Sequence, residues 1–406
     1  MEVIGASKVF VCDDAFCVLD NGAVAFDGAH ICDVGDFATL QKRYGNARFH
    51  DDCVLLPALI NPHTHIEFSD SCGFVFGSFG AWLSSVFTQH QKPCSKEQME
   101  SALASLRKSG VGCVGAISSQ GNDLDVLACS NLRIVYFNEL IGSSHEGAES
   151  AWENFLQRIQ TADECVSATF HNALAVHSPY SVVPELLARL VCEVNKRQCA
   201  LSVHFLESPE ERQWLCEDSG FFKDFYANFN PSNTQSFYRI DGFLEHFANT
   251  KARLLFVHCT QANESELAHI ARLGANVVSC PRSNRLLGGK MLGFKKTNAI
   301  LPCLIGTDSL ASNNSLNLLE ELRTALFCAH APLVPLSVAL VLAATKNAAK
   351  ALGLDCGILQ SGKLADMALF HVPQIRHTHQ EALTFLLHAT QAQSLWVGGK
   401  ELGDVQ

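Results

Sequence analysis

The sequence predicts an α/β fold, a distorted (β/α)8 TIM barrel with a small β-sandwich built from both chain ends. Three observations carry this. Apolar β-type runs, each followed by a helix-like pattern, recur through the middle of the chain. Ionisable residues stand at the ends of several of these runs, and barrel enzymes draw their sites from the C-terminal ends of different strands. Short β-like runs with turn signals occupy both termini.

The N-terminal part, residues 1–56, carries β-like runs at Val9 to Asp20, Ala23 to Asp27 and His30 to Val34, punctuated by the hairpin signals Asn21-Gly22 and Asp27-Gly28. Residues 57–356 form the barrel, its first strand entering from Val54. The predicted barrel strands are Val54 to Asn61, Gly112 to Ser118, Leu132 to Leu140, Ala173 to Ser178, Ala200 to Glu207, Arg253 to Cys259, Ala275 to Cys280 and Ile300 to Asp308. Helix-like stretches lie between them, among them Lys96 to Lys108, Pro184 to Lys196, Glu264 to Leu273 and Leu316 to Ala329. Ser208, Pro209 and Glu211 read as the N-cap, first position and third position of a capping-box helix start. The segment Gly220 to Tyr238, rich in Phe, Asn and Ser, breaks the rhythm and reads as a loop insertion. Residues 357–406, with Gly357 to Phe370 and Ala392 to Gly399, return to β character; neither terminal piece is long enough alone for a stable sheet domain, but about 100 residues together are.

Pro57 to Glu67 reads Pro-Ala-Leu-Ile-Asn-Pro-His63-Thr-His65-Ile-Glu. Alternate residues of a strand share a face, so two imidazoles at its end can supply half of a metal shell. His204 ends the run from Ala200 with Glu207 three residues on, His258 ends the run from Ala252, and Asp308 ends the run from Ile300. Each also suits a structural role: His63 and His65 as polar strand ends, His204 as a bonded rim residue, Asp308 as an N-cap, Glu207 as a helix N-terminal charge. Their recurrence at successive strand ends points to a shared site instead.

Taken jointly, Leu56-Pro-Ala-Leu-Ile-Asn-Pro-His-Thr-His65, His177-Ser-Pro-Tyr180, His204-x-x-Glu207, Val257-His258, Cys280-Pro-Arg-Ser-Asn284 and Gly306-Thr-Asp308 resemble the amidohydrolase superfamily, and within it the branch of purine and aminofutalosine deaminases. The resemblance covers nearly the whole chain. It implies that His63, His65, His204 and Asp308 bind one divalent metal ion, zinc in the first instance with iron or manganese also accepted by an N3O set. It implies that Asp308 accepts the proton of the attacking water, that Glu207 protonates the ring nitrogen of an adenine-type base and passes a proton to the leaving amine, and that His258 orients the water and stabilises the tetrahedral adduct. His177 reaches base or ribose, with a structural histidine as the alternative. Glu139, Trp82 and Asn284 are expected to face the substrate. The fourth strand carries no lysine of the kind that bridges two metals in related enzymes, so one metal is expected.

Relatives acting on methylthioadenosine place a ribose-binding acid after a Trp-Leu step; here Trp82-Leu83 is followed by Ser84-Ser-Val-Phe-Thr-Gln-His-Gln91, with no acid. A different 5′ group is the expected consequence. Deaminases of methylthioadenosine, adenosylhomocysteine or guanine are alternative readings, and a barrel that has lost catalysis and serves as a scaffold is another. Gly110-Val-Gly-Cys-Val-Gly115 matches a dinucleotide motif but follows a helix and enters a strand, the reverse of that site, and reads as a helix end. Asn263-Glu-Ser265 is a glycosylation sequon only in a secreted chain.

The 406 residues are 48% hydrophobic and 17% charged, enough apolar content for a full barrel core. A net charge of −11 argues against nucleic acid as a partner and leaves a small nucleoside-type molecule. The 17 cysteines lack C-x-x-C pairing and no signal peptide opens the chain, which suits reduced thiols and a cytoplasmic location. The apolar stretch Ala331 to Ala344 holds two prolines and is shorter than the about 20 residues that span a bilayer, so no membrane association is expected. A homo-oligomer is possible for a barrel of this kind.

Overall fold

A computed structural model describes the chain except residues 71–72, 90–92, 230–234, 378 and 404–406. Its strands are β1 (Glu2–Phe10), β2 (Val18–Asp27), β3 (His30–Asp36), β4 (Ala47–Pro57), β5 (Leu59–Thr64), β6 (Val111–Ser118), β7 (Arg133–Leu140), β8 (Phe170–Val176), β9 (Ala200–Phe205), β10 (Arg253–His258), β11 (Asn276–Ser279), β12 (Cys303–Ile305), β13 (Met367–His371), β14 (Ala392–Val397) and β15 (Lys400–Glu401). Strands β5 to β12 form one all-parallel ladder in chain order. Strands β5, β6, β7, β9 and β12 are buried at every residue, as expected where helices cover the outside and side chains fill the inside. The ladder closes where the amides of Thr307 and Asp308 each approach the His63 carbonyl to 3.2 Å.

Two glycines let the strands flanking β5 come close. A Cβ on Gly115 would lie 2.4 Å from the Pro62 carbonyl oxygen, and one on Gly306 would lie 3.0 Å from that of His63. The backbone carrying the His-x-His pair is thus held between two side-chain-free neighbours, which leaves the imidazoles little freedom to drift.

The chain ends build the second sheet, seven strands in the order β15-β14-β13-β4-β1-β2-β3. A buried bidentate pair ties it to the barrel: Arg133 Nε and Nη2, at the start of β7, donate to Asp366 at 2.6 and 3.0 Å. Asp366 also accepts from the Gly398 amide.

Several boundaries differ from expectation. The run from Val54 is two strands: Val54–Pro57 ends β4 in the terminal sheet, and the chain crosses at Ala58 to begin β5. Both halves are apolar because both are buried, so periodicity shows no seam. Val9 to Asp20 likewise covers the end of β1, a turn and the start of β2, while Asn21-Gly22 lies inside β2 rather than at a turn. Of Ile300 to Asp308 only Cys303–Ile305 joins the ladder, Ile300 ending a helix that begins at Phe294. Within Gly220 to Tyr238, expected to be a loop insertion, Phe221–Phe229 is a helix whose aromatic residues pack with Phe79, Tyr180 and Trp214. Gly110 follows the helix Lys96–Lys108 with φ +82°, the helix-end role expected of it. Asn263 of the sequon caps the helix Glu264–Arg272 in a full capping box.

The helices Leu333–Ala343 and Lys346–Leu352 abut at Thr345, and the 20 residues from 333 to 352 are together apolar and long enough to cross a membrane. Half of that stretch is buried inside the fold, against the barrel strands and the helix Glu381–His388.

Candidate active site

The C-terminal ends of the barrel strands surround a cavity of about 550 Å³. His63 lies at the end of β5 and His65 just beyond it, their ring centroids 4.9 Å apart. His204, in β9, brings Nε2 to 3.2 Å from His65 Nε2. Asp308, past β12, places Oδ1 3.7 Å from His63 Nε2 and 3.6 Å from His65 Nε2. Two ligand atoms in a tetrahedral shell with bonds of about 2.0–2.1 Å stand about 3.3 Å apart, close to these separations. Among the described residues neither ring nitrogen of His63 has a hydrogen-bond partner although the residue is fully buried, and Nδ1 of His65 also lacks one. Buried polar atoms are ordinarily bonded, so orphaned imidazole nitrogens converging on a carboxylate fit a metal ion.

Hydrogen bonds set the ring states. His204 Nδ1 is 2.9 Å from the His177 carbonyl, which can only accept, so Nδ1 carries a proton and Nε2 is the nitrogen directed toward His65. Asn284 Nδ2 donates to His258 Nδ1 at 2.9 Å, so His258 carries its proton on Nε2, which faces Glu207 Oε1 at 3.5 Å. His258 is thereby a neutral donor, and burial pushes its pKa well below the ordinary histidine value. Burial, reinforced by the Asp308 charge, raises the Glu207 carboxyl well above the usual range, as a proton donor requires. Asp308 is held on its other side: Ser283 Oγ and Ser312 Oγ donate to Oδ2 at 2.7 and 2.8 Å, leaving Oδ1 for the histidines.

The backbone is bent to deliver these groups. Leu206, His258, Cys259 and Asp308 have φ of 47°, 72°, 51° and 61°, left-handed values that non-glycine residues adopt at a cost and that cluster at functional strand ends. Glu211 supports this turn. Ser208 Oγ accepts from its amide as expected of an N-cap, but its carboxylate reaches past the cap to the amides of Leu206 and Glu207, both at 2.8 Å.

His65, His177, His204, Glu207, His258 and Asp308 line the cavity, as do Trp82 and Glu139. His177 bonds Ser181 Oγ through Nδ1 at 2.6 Å. Trp82 donates Nε1 to the Ala311 carbonyl at 2.8 Å, and its helix, Phe79–Gln89, shows Trp82, Leu83, Val86 and Phe87 to the cavity where an acid was missed in the sequence. His90 and Gln91 lie outside the described residues. Asn284, expected at the substrate, is buried and donates to His258, and it is not among the residues that line this cavity. Glu139 reaches the cavity, as expected, and its carboxylate is engaged by Ser119 Oγ at 2.6 Å and stands 3.3 Å from His204 Nδ1. Burial opposes its ionisation, yet His177 and His204 outweigh this and hold its pKa well below the carboxylate range.

Sequence reasoning missed Ser283, Ser312, Ser119 and the role of Glu67, whose carboxylate gathers the loop after β6. Isolated serines carry no sequence signal. Glu67, the first acid beyond the His-x-His pair, did.

The fold is that of the amidohydrolases, and the amidohydrolase family model matches residues 54–402. The chain belongs to the amidohydrolase family. Among curated proteins it is 38% identical to a Helicobacter pylori adenosine deaminase, covering 99% of each chain. It is also 38% identical to an aminodeoxyfutalosine deaminase of a Nitratiruptor species, covering 95% of this chain and 96% of that one. A crystal structure of H. pylori aminofutalosine deaminase in complex with methylthio-coformycin superposes with a TM-score of 0.93 at 37% identity, covering 99% of this chain and 100% of that one.

Proposed function

We propose that this chain is a metal-dependent hydrolase that replaces the 6-amino group of an adenine-type nucleoside with oxygen, its preferred substrate being 6-amino-6-deoxyfutalosine on the route to menaquinone. The convergence of His63 Nε2, His65 Nε2, His204 Nε2 and Asp308 Oδ1, with Glu207 and His258 facing each other beside them, carries this reading. The likeness to relatives named for adenosine and aminodeoxyfutalosine deamination supports it.

In this proposal His63, His65, His204 and Asp308 hold one divalent ion, zinc by preference for an N3O set. When bound, the ion supplies Lewis acidity that lowers the pKa of water toward neutrality. Asp308 takes a proton from the attacking water on Oδ1, while its Oδ2 stays fixed by Ser283 and Ser312. Glu207 gives its proton to the ring nitrogen as the purine carbon becomes tetrahedral; the proton taken by Asp308 is then relayed through Glu207 to the amine as the C–N bond breaks, and the adduct's hydroxyl proton returns Glu207 to its acid form as the carbonyl forms. His258 donates from Nε2 to the developing oxyanion. His177 and Trp82 hold the base and ribose, and the apolar wall of Leu83, Val86 and Phe87 receives the 5′ substituent. The same reading makes residues 57–356 the catalytic barrel and joins 1–56 with 357–406 in one β unit, in a cytoplasmic enzyme.

An ultraviolet assay of adenine-to-hypoxanthine conversion with zinc-replete protein tests the reading on aminodeoxyfutalosine, methylthioadenosine, adenosylhomocysteine and adenosine in parallel. Highest kcat/KM on aminodeoxyfutalosine is the expected result. Equal or better turnover of methylthioadenosine would make it a salvage deaminase, a second reading favoured by the methylthio-coformycin bound to the H. pylori relative. Turnover of none would reject deamination of nucleosides.

A further inference from the structure

Two buried acids at the barrel rim, Glu67 and Glu139, perform none of the steps above. Buried carboxylates are costly unless fully bonded, so their bonds show what they are for. Glu67 lies in the single helical turn Ile66–Phe68 after β5, and its carboxylate accepts from the amides of Ser119 (2.7 Å), Gln120 (3.0 Å) and Asn122 (2.9 Å) and from Ser118 Oγ (3.2 Å). Those bonds gather the loop after β6 into one conformation. Ser119, held by that carboxylate through its amide, sends its hydroxyl to Glu139 Oε2 at 2.6 Å. Arg158 locks the same corner, donating to the Ser118 carbonyl at 3.1 Å and the Glu139 carbonyl at 2.7 Å. The remaining oxygen of Glu139, Oε1, has no hydrogen-bond partner among the described residues and lies 3.3 Å from His204 Nδ1, whose N–H goes to the His177 carbonyl, so it meets the ring as a charge; ligand atoms of Glu139, His177 and His204 all fall within 4.8 Å of one another.

We infer that Glu139 is a positioning residue for both His204 and His177, and that Glu67 holds it in place through Ser119. The chain of contacts runs from a carboxylate that touches neither metal nor substrate, through one hydroxyl, to the carboxylate that stands 3.3 Å from the ring of a ligand imidazole and within 4.8 Å of a substrate-facing one. Carboxylates behind ligand histidines fix the ring and raise its basicity, and their loss costs roughly 10- to 100-fold in metal affinity. The inference rests on the ligand set proposed above.

The test measures metal affinity by chelator competition from the zinc-loaded enzyme, with kcat and KM alongside, for Ser119→Ala, Ser119→Thr, Glu139→Gln, Glu67→Gln and the Ser119→Ala/Glu139→Gln double variant. Glu139→Gln is expected to weaken zinc binding roughly 10- to 100-fold and to raise KM through His177. Ser119→Ala and Glu67→Gln should shift both in the same direction by less, Ser119→Thr should restore wild-type affinity, and the double variant should be no weaker than Glu139→Gln alone, because the hydroxyl acts only through that carboxylate. Unchanged zinc affinity in Glu139→Gln, or losses that multiply in the double variant, would overturn the inference. Should Glu139→Gln fail to fold, the half-buried Ser119 still decides: wild-type zinc affinity and KM in Ser119→Ala would reject the link. A wild-type protein that holds no zinc would instead reject the ligand set, and the inference with it.

Discussion

Replacing Glu207 by Gln separates chemistry from metal binding. The side chain keeps its volume and its place 3.5 Å from His258 Nε2, and its backbone amide stays tied to Glu211. What it loses is a transferable proton. Burial and the Asp308 charge raise the Glu207 pKa, so the carboxyl keeps its proton to higher pH than an ordinary carboxylate and can donate it. Removing a positioned general acid costs roughly 10²- to 10⁴-fold in rate, or about 2.7–5.4 kcal/mol of barrier at 1.36 kcal/mol per tenfold. Steady-state kinetics on the best substrate should show that loss in kcat, with KM changed little, while zinc content by atomic absorption stays at one per chain. Stability moves the other way. A carboxyl whose folded pKa lies above its unfolded value stabilises the fold below the unfolded pKa, and that contribution is lost as pH rises through the folded pKa. Gln has no ionisation to suppress, so at neutral pH the variant should melt no lower than the wild type. A kcat within fivefold of wild type would refute the proton-shuttle role, and loss of zinc would show that Glu207 belongs to the ligand set.

Replacing His177 with Ala should raise KM with zinc content unchanged; an unaltered KM in steady-state assays would leave His177 a structural histidine bonded to Ser181. Glu321 gives a pH-dependent prediction away from the chemistry. Burial raises its pKa to about 8, partly offset by bonds from the Arg282 amide and Asn313 Nδ2. Stability from this group is complete below the ordinary carboxylate pKa of 4.5 and is lost as pH rises through about 8, so denaturation midpoints should decline across that window in the wild type and decline less in Glu321→Gln. Parallel pH dependences in the two proteins would place the proton elsewhere.

The local pattern of the chain was enough to place the barrel units and the strand-end histidines. A fully buried strand needs an unbroken apolar run and a helix start needs a cap, and both are written in neighbouring residues, as Ala200–Phe205 followed by Ser208 and Pro209 shows. The four ligand candidates were legible because the family motifs around them are long and ordered. The split of Val54 to Asn61 between two sheets was not, since burial on both sides erases the periodicity that would mark a crossing. Nor was the helix Phe221–Phe229, whose aromatic residues gain their meaning from Phe79, Tyr180 and Trp214, far away in the chain.

Neighbouring residues were enough to pick out the histidines and the acid that stand at the ends of parallel strands. What holds those side chains came only with the folded chain: Asn284 bonds His258, Glu139 stands beside His204, and Ser283 and Ser312 donate to the outer oxygen of Asp308. A hydrogen bond is worth something only within about 3 Å and near its proper angle. Ser312 meets those limits through the local turn, but the other pairs, 25 to 65 positions apart, meet them only once the barrel has closed.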